Sequence, residues 1–92
     1  MSEHRRSLLV VNQRGLHARA SAKFVNAVAE LPNGTNVRVA KDGNEAAGSS
    51  ILGLMMLGAA KGDTIEVIVA GDNAEAVLAS LSAMIEDGFG EN

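Results

Sequence analysis

The chain has 92 residues, a net charge of −3 and no cysteine, which fits one domain and excludes disulfides, thiolate catalysis and sulfur-ligated metal sites. The negative net charge and the lack of tryptophan and tyrosine argue against binding nucleic acid through its phosphates or by base stacking. No run approaches the roughly 20 apolar residues that span a bilayer, and no apolar signal core follows the polar residues 1–7, so we expect a cytoplasmic protein without membrane contact.

The first third of the chain predicts a strand and an amphipathic helix. Residues 1–7, with His4, are predicted to be a loose surface segment, and the apolar residues 8–11 a short strand. A helical period follows over residues 18–31, and Pro32 ends it. The predicted buried stripe of this helix consists of Ala18, Ala22, Val25 and Ala29, flanked by Phe24 and Val28.

The middle of the chain predicts a hairpin and a second helix. Residues 36–41 alternate with period two, and Asp42-Gly43 is a strong hairpin signal before a weaker returning strand over residues 45–48. Residues 51–57 follow Ser49 and Ser50 and are apolar around the whole circumference of a helix. We therefore expect part of the apolar surface of this helix to remain exposed.

The last third predicts a strand and a helix. Residues 64–69 alternate again, and Asp72 or Asn73 begins a helix that runs to about residue 87 before Gly88. The predicted buried stripe of this helix is Val77, Leu78, Leu81, Met84 and Ile85. Each helix must bury one face, so the order of elements favours a sheet with its helices layered on one side.

The sequence GLHAR at residues 15–19 places His17 where the first strand turns into the first helix. Helix starts leave backbone N–H groups without intrahelical partners and carry partial positive charge, so a phosphate on or beside His17 would be favoured. Arg19 adds a permanent cation, and a histidine ring nitrogen is a competent nucleophile. No Walker-type glycine-lysine sequence is present, so the phosphoryl group would come from another phosphoprotein.

A lone histidine at a helix start is more often an exposed or capping residue, but the surrounding sequence favours the phosphoryl carrier. His4 lies beside Arg5 and Arg6, and we interpret it as a surface residue. Because His4 and His17 lack carboxylates at ligand spacing, we expect no metal site and no cofactor.

Two motifs carry a resemblance to a known family. GLHAR at residues 15–19, followed by SILGLMMLGAAKG at residues 50–62, resembles HPr, the histidine-containing phosphocarrier family of the bacterial phosphoenolpyruvate-dependent phosphotransferase system. The match covers nearly the whole chain. It implies an α+β open-faced β-sandwich, in which three helices cover one face of a four-stranded antiparallel sheet in the order βαββαβα, as a single HPr-like domain over residues 1–92.

The resemblance also implies a site and partners. His17 would accept a phosphoryl group on Nδ1 from phosphorylated enzyme I and pass it to a histidine of an enzyme IIA protein, as a monomeric carrier rather than a stand-alone enzyme. Arg19 would pair with the phosphate, and the amides around Ala18 and Arg19 would complete the cradle. The family usually has proline where this chain has Ala20, so we expect altered rigidity without loss of the chemistry.

The second motif suggests regulation and docking. Ser50 is at the position where some members of the family are phosphorylated by a dedicated HPr serine kinase/phosphorylase, although Ser49 or Ser50 could equally be a helix cap. A phosphate there would add roughly two negative charges and repel an acidic partner. Ile51, Leu52 and Met55 share one side of the second helix, and we expect them to form a partner-docking patch.

Two other classes of function remain open on the sequence. One is an HPr-like regulatory docking module that signals by its phosphorylation state rather than feeding transport, and the other is an unrelated metabolite-binding domain with a similar order of elements. Residues 57–61 and 86–92 also resemble proteobacterial HPr proteins, including those of the nitrogen-related branch of the phosphotransferase system. The resemblance leaves the sugar branch and the nitrogen-related branch open and favours the second.

Overall fold

The computed structural model describes residues 3–91. Its elements are β1 (Glu3–Leu9), α1 (Ala18–Ala29), β2 (Asn36–Lys41), β3 (Asn44–Ala47), α2 (Ile51–Met56), β4 (Thr64–Ala70), α3 (Ala74–Glu86) and a 3-10 turn (Gly88–Gly90). The strands form one antiparallel sheet in the order β1-β4-β2-β3, with the helices layered on one face. This confirms the predicted α+β open-faced sandwich. Within residues 3–91, no helix is long and apolar enough to cross a membrane.

The hydrophobic core lies between the sheet and the helices, and β4 is at its centre. Ile65, Val67 and Val69 alternate along β4 and are buried. Helical side chains that are equally buried complete the core, among them Phe24, Leu54, Leu78, Leu81 and Ile85. Burial of each large apolar side chain contributes about 1.5–3 kcal/mol, so these positions account for much of the stability of the fold.

The other face of the sheet is covered by its own charged side chains. Ile68 points to this face, yet only 1% of its surface is exposed, because the register places it between Arg5 of β1 and Arg38 of β2. Glu3 accepts hydrogen bonds from both arginines, at 3.1 and 2.9 Å. The aliphatic stems of the arginines can therefore shield Ile68 while their guanidinium groups stay in water.

The prediction of a loose start to the chain is wrong for the described residues 3–7. They belong to β1, which pairs with β4 from Glu3 opposite Ala70 to Leu9 opposite Thr64, and His4 lies opposite Val69. An edge strand tolerates polar side chains because much of its surface faces solvent. The apolar pattern over residues 8–11 therefore marked only the last residues of β1. Residues 1 and 2 lie outside the described residues.

The predicted buried stripe of α1 is also wrong. Ala20, Ser21 and Phe24 are its buried residues, whereas Ala18 and Ala29 are exposed. Ser21 can be buried because its hydroxyl donates to the Leu16 carbonyl at 3.2 Å, which satisfies its polar group. Alanines recur on several faces of this helix, so the sequence pattern did not select the right one.

The hairpin and the two later helices were predicted correctly. Asp42 and Gly43 both have positive φ, as a tight hairpin turn requires, and α2 begins after Ser50, whose hydroxyl accepts from the Gly53 amide at 2.9 Å. Asn73 is the N-cap residue of α3 but makes no side-chain capping bond. The stripe of α3 is buried as predicted, except that Met84 is only partly buried.

A close backbone approach fixes the loop between β1 and α1. Gly15 has φ of +60°, and a Cβ atom added to it would lie 2.2 Å from the Ala59 carbonyl oxygen. The same carbonyl accepts a hydrogen bond from the Leu16 amide at 3.0 Å. The segment that follows α2 therefore holds the loop that leads into α1, and only glycine fits at position 15.

We predict that Gly15→Ala lowers the free energy of unfolding by more than about 2 kcal/mol, because it combines backbone strain with a steric clash. Gly43→Ala is the matched control, since Gly43 also has positive φ but a Cβ atom added to it would have nothing within 4 Å. Urea unfolding of both variants measures the difference. Equal destabilisation of the two variants would contradict the role given to the Ala59 contact.

Candidate functional site

His17 is the N-cap residue of α1, the position from which the free backbone N–H groups of the first turn extend. Its backbone is extended, with φ of −74° and ψ of −179°. The first intrahelical hydrogen bond runs from the Ser21 amide to the His17 carbonyl at 2.9 Å, so the amides of Ala18, Arg19 and Ala20 precede the helical ladder. The imidazole thus lies beside donors that an anion can use.

The two ring nitrogens of His17 have different partners. Nδ1 accepts a hydrogen bond from the Arg19 backbone amide at 3.3 Å, and Nε2 lies 2.5 Å from Oε2 of Glu91. A backbone N–H can only donate, and an ionised carboxylate can only accept. These contacts therefore favour the tautomer with the proton on Nε2 and the lone pair on Nδ1.

Asn12 holds the carboxylate that faces His17. Its Nδ2 donates to Oε1 of Glu91 at 3.0 Å and to the Gly15 carbonyl at 2.8 Å. The Asn12 side chain is buried, so its amide is a fixed donor. Hydrogen bonding from Asn12 lowers the pKa of Glu91 below its usual value. The hydrogen bond with His17 and the charges of His17 and Arg19 also lower this pKa, whereas partial burial raises it.

The end of the chain is anchored against the site by residues 88–91. The Phe89 side chain is buried, and Nζ of Lys23 in α1 donates to the Phe89 carbonyl at 2.6 Å. Gly88, Phe89 and Gly90 all have positive φ, which curls the chain tightly after α3. Glu91 therefore reaches His17 from a folded segment that is 74 residues away in sequence.

A basic cleft lies beside the imidazole. Its volume is about 530 Å³, and its lining includes Arg14, Arg19, Lys23 and Lys61, with Glu91 as the one acidic side chain among the described residues that line it. Four cations around one carboxylate give the cleft a net positive charge. Such a surface attracts phosphate groups and acidic protein surfaces.

The structure brings some of the predicted site residues together and places others on a neighbouring element. His17, Ala18 and Arg19 adjoin one another at the start of α1 as expected. The predicted docking residues and Ser50 are at α2, which packs against α1. Ile51, Leu52 and Met55 have 40%, 68% and 40% of their surface exposed, and Met56, which the sequence analysis did not single out, has 77%.

Sequence reasoning missed Glu91, which contacts Nε2 of His17, and Asn12, which donates a hydrogen bond to Glu91. Asn12 directly follows the predicted strand over residues 8–11, and Glu91 lies beyond the last predicted helix. One signal was available: Phe89 is one of only two aromatic residues in the chain and lies between two glycines near its end. An aromatic residue in such a place indicates a tail that packs against the domain.

Comparison with known proteins agrees with this fold. Residues 4–87 match the family described as "PTS HPr component phosphorylation site". The phosphocarrier protein HPr of Neisseria meningitidis is 44% identical over 88 residues, which cover 95% of this chain and 96% of that protein. The phosphocarrier protein NPr of Escherichia coli K12 is 36% identical over 86 residues, covering 90% of this chain and 91% of that protein.

A solved structure shows the same architecture. HPr from Thermoanaerobacter tengcongensis superposes with a TM-score of 0.87 at 33% sequence identity and covers 100% of this chain and 99% of its own. A small open-faced sandwich with a histidine at the start of its first helix is the architecture of a phosphocarrier. The chain belongs to the HPr and NPr family of phosphocarrier proteins of the phosphotransferase system.

We predict that Asn12→Ala raises the pKa of Glu91 toward its ordinary value, because the Asn12 hydrogen bond is the largest cause of the lowering. The pKa of Glu91 is lower in the folded protein than in the unfolded chain. Glu91 therefore stabilises the fold at pH values above its unfolded pKa, and this contribution is lost as the pH falls through its folded pKa. Asn12→Ala should reduce this pH dependence.

The pKa of the Glu91 carboxyl is measured by an NMR pH titration of wild type and variant. Asn26→Ala is the matched control, since Asn26 is an exposed asparagine of α1. An unchanged Glu91 titration in Asn12→Ala would show that Asn12 does not hold the carboxylate.

Proposed function

We propose that His17 accepts a phosphoryl group from phosphorylated enzyme I and passes it to a histidine of an enzyme IIA protein. The observation that carries this proposal is the position of Nδ1 of His17 at the N-cap of α1, where the Arg19 amide is its hydrogen-bond donor. The identity of the family supports the relay, and the geometry supports the choice of residue and of nitrogen.

The reaction needs little machinery from this protein. The bond from Nδ1 to phosphorus forms as the bond from phosphorus to the donor breaks, and the ring keeps its Nε2 proton and becomes positively charged. The Arg19 amide, which donates to Nδ1 in the unphosphorylated protein, is placed to donate to a phosphoryl oxygen afterwards. Positioning and electrostatic stabilisation are the main requirements of such transfers.

Arg19 and the helix start would neutralise the phosphoryl charge. The Arg19 side chain is exposed and lines the basic cleft, and the amides of Ala18 and Arg19 lie at the positive end of α1. A guanidinium binds phosphate through charge-assisted and often bidentate hydrogen bonds. In this proposal Arg19 and the Ala18 and Arg19 amides form the phosphate cradle.

Ala20 stands where the family usually has proline after the arginine, and the contacts around it support the expectation that the chemistry is retained. Ala20 is fully buried in the third position of α1, before the first i to i−4 hydrogen bond from Ser21. The cradle is held by the backbone contacts of Gly15 and Leu16 with Ala59. We therefore expect Ala20 to alter the rigidity of the site without loss of the chemistry.

We also propose that Ile51, Leu52 and Met55, together with Met56, form the docking surface for donor and acceptor. All four are exposed apolar side chains on α2, and α2 packs against α1, the helix that begins at His17. Methionine adapts to different partners because it is flexible and polarizable, which suits a carrier that must bind two proteins in turn.

Ser50 has a structural role and a proposed regulatory one. Its hydroxyl caps α2 by accepting from the Gly53 amide, which explains a serine at this position without any modification. Phosphorylation of Ser50 by an HPr serine kinase/phosphorylase stays a prediction. The prediction is tested by incubating the protein with such a kinase, which should label the wild type and fail to label Ser50→Ala.

We predict that incubation with enzyme I, phosphoenolpyruvate and magnesium adds one acid-labile, base-stable phosphoryl group, and that His17→Ala abolishes it. His4→Ala is the matched control and should be labelled like wild type, because His4 lies in β1. Intact mass and acid stability of the labelled protein give the answer. Absence of labelling in the wild type would contradict the proposed relay.

The acceptor branch is decided by the same labelled protein. Phosphorylated wild type is offered separately to enzyme IIA proteins of the sugar branch and of the nitrogen-related branch, since both HPr and NPr proteins are relatives. Faster transfer to one of them identifies the branch. Transfer to neither would contradict the proposed relay.

We predict that Leu52→Glu raises the KM for enzyme I about tenfold, which corresponds to 1.4 kcal/mol of docking energy, and changes the free energy of unfolding by less than about 0.5 kcal/mol. Leu9→Glu is the matched control, because Leu9 is an exposed leucine of β1. Steady-state phosphorylation and urea unfolding measure the two effects. Loss of the fold in Leu52→Glu would show that this position belongs to the core.

A further inference from the structure

We propose that Glu91 is a positioning residue for phosphoryl transfer, whose carboxylate holds the proton of His17 on Nε2 and so keeps the lone pair on Nδ1. This inference rests on the proposed function of His17. It adds a part that the GLHAR motif does not contain, supplied by the last described residue of the chain.

The hydrogen-bond partners around Glu91 assign its role. Nδ2 of Asn12 donates both to Oε1 of Glu91 and to the Gly15 carbonyl, which leaves Oε2 to accept from Nε2 of His17. Because the Arg19 amide donates to Nδ1, a proton on Nδ1 would place two donors against each other. Each contact in this chain of hydrogen bonds is satisfied when Nε2 carries the proton.

The same carboxylate stabilises the charge that develops in the reaction. When Nδ1 forms its bond to phosphorus, the donor keeps the electron pair of the bond that breaks, and the ring becomes cationic with its Nε2 proton in place. A carboxylate 2.5 Å from Nε2 lies on the opposite side of the ring from the phosphoryl group. Glu91 therefore stabilises the cationic ring and leaves the path of the incoming phosphoryl group open.

Glutamine cannot replace glutamate in this arrangement. A glutamine side chain has one carbonyl oxygen and one NH₂ group, so it can accept from Asn12 or from Nε2 of His17, but not with a separate oxygen for each. If its NH₂ group faced Nε2, it would favour a proton on Nδ1. Glu91→Gln thus preserves the shape of the side chain while removing both its charge and its second acceptor.

The geometry of the tail supports a fixed position for this carboxylate. Burial of the Phe89 side chain, the hydrogen bond from Lys23 to the Phe89 carbonyl and the hydrogen bond from the Glu91 amide to the Gly88 carbonyl hold the backbone directly before and at Glu91. Only 18% of the Glu91 side chain and 17% of the His17 side chain are exposed. Partial exclusion of water strengthens the interaction between them.

The first experiment measures the tautomer without any partner protein. In ¹⁵N NMR spectra of unphosphorylated wild type at a pH where His17 is neutral, we expect the Nε2–H form to dominate, and Glu91→Gln should increase the Nδ1–H form. Glu86→Gln is the matched control, because Glu86 is exposed at the end of α3. The same tautomer populations in Glu91→Gln and wild type would overturn the inference.

The second experiment measures transfer from phosphorylated enzyme I. We expect Glu91→Gln to lower kcat about tenfold, which corresponds to about 1.4 kcal/mol of lost transition-state stabilisation. KM should change less than twofold, and Glu86→Gln should equal wild type. If the wild type is phosphorylated and Glu91→Gln has the same kcat, the inference about Glu91 is overturned while the proposed function of His17 stands. A wild type that is not phosphorylated would overturn the proposed function, while the NMR experiment still decides whether Glu91 sets the tautomer.

Discussion

The site depends on one backbone contact, in which Gly15 packs directly against the Ala59 carbonyl. The left-handed conformation of Gly15 and the hydrogen bond from the Leu16 amide to Ala59 turn the chain sharply between β1 and α1. This turn places His17 at the N-cap rather than within the helix. The position of the imidazole therefore follows from packing between two loops and not from the histidine itself.

From that position the ring is held by three parts of the chain. The start of α1 provides the Arg19 amide for Nδ1, the loop after β1 provides Asn12, and the terminal segment provides Glu91 for Nε2. Donors and acceptors alternate along this series, which favours the tautomer with the proton on Nε2. The basic cleft beside it carries a net positive charge, and such a surface attracts phosphate groups and acidic protein surfaces.

Elements with strong local signals were predicted from sequence alone. The Asp42-Gly43 turn, the strands around it, the cap at Ser50 and the stripe of α3 depend on residues that are close in sequence, so pattern and structure agree. The prediction failed for the charged residues of β1 and for the buried stripe of α1. The charged residues of β1 are in a strand because β4 pairs with them, and α1 buries Ser21 because the Leu16 carbonyl accepts its hydroxyl.

The sequence by itself determined the order of elements, the helix start at residues 15–19, and with it the family and His17 as the candidate nucleophile. Only the tertiary structure decided which donor contacts Nδ1 and which carboxylate faces Nε2. Glu91 is 74 residues from His17, and its approach depends on how α3 ends and how Phe89 packs. Contacts over such separations are set by the packing of the whole domain, and no local pattern records them.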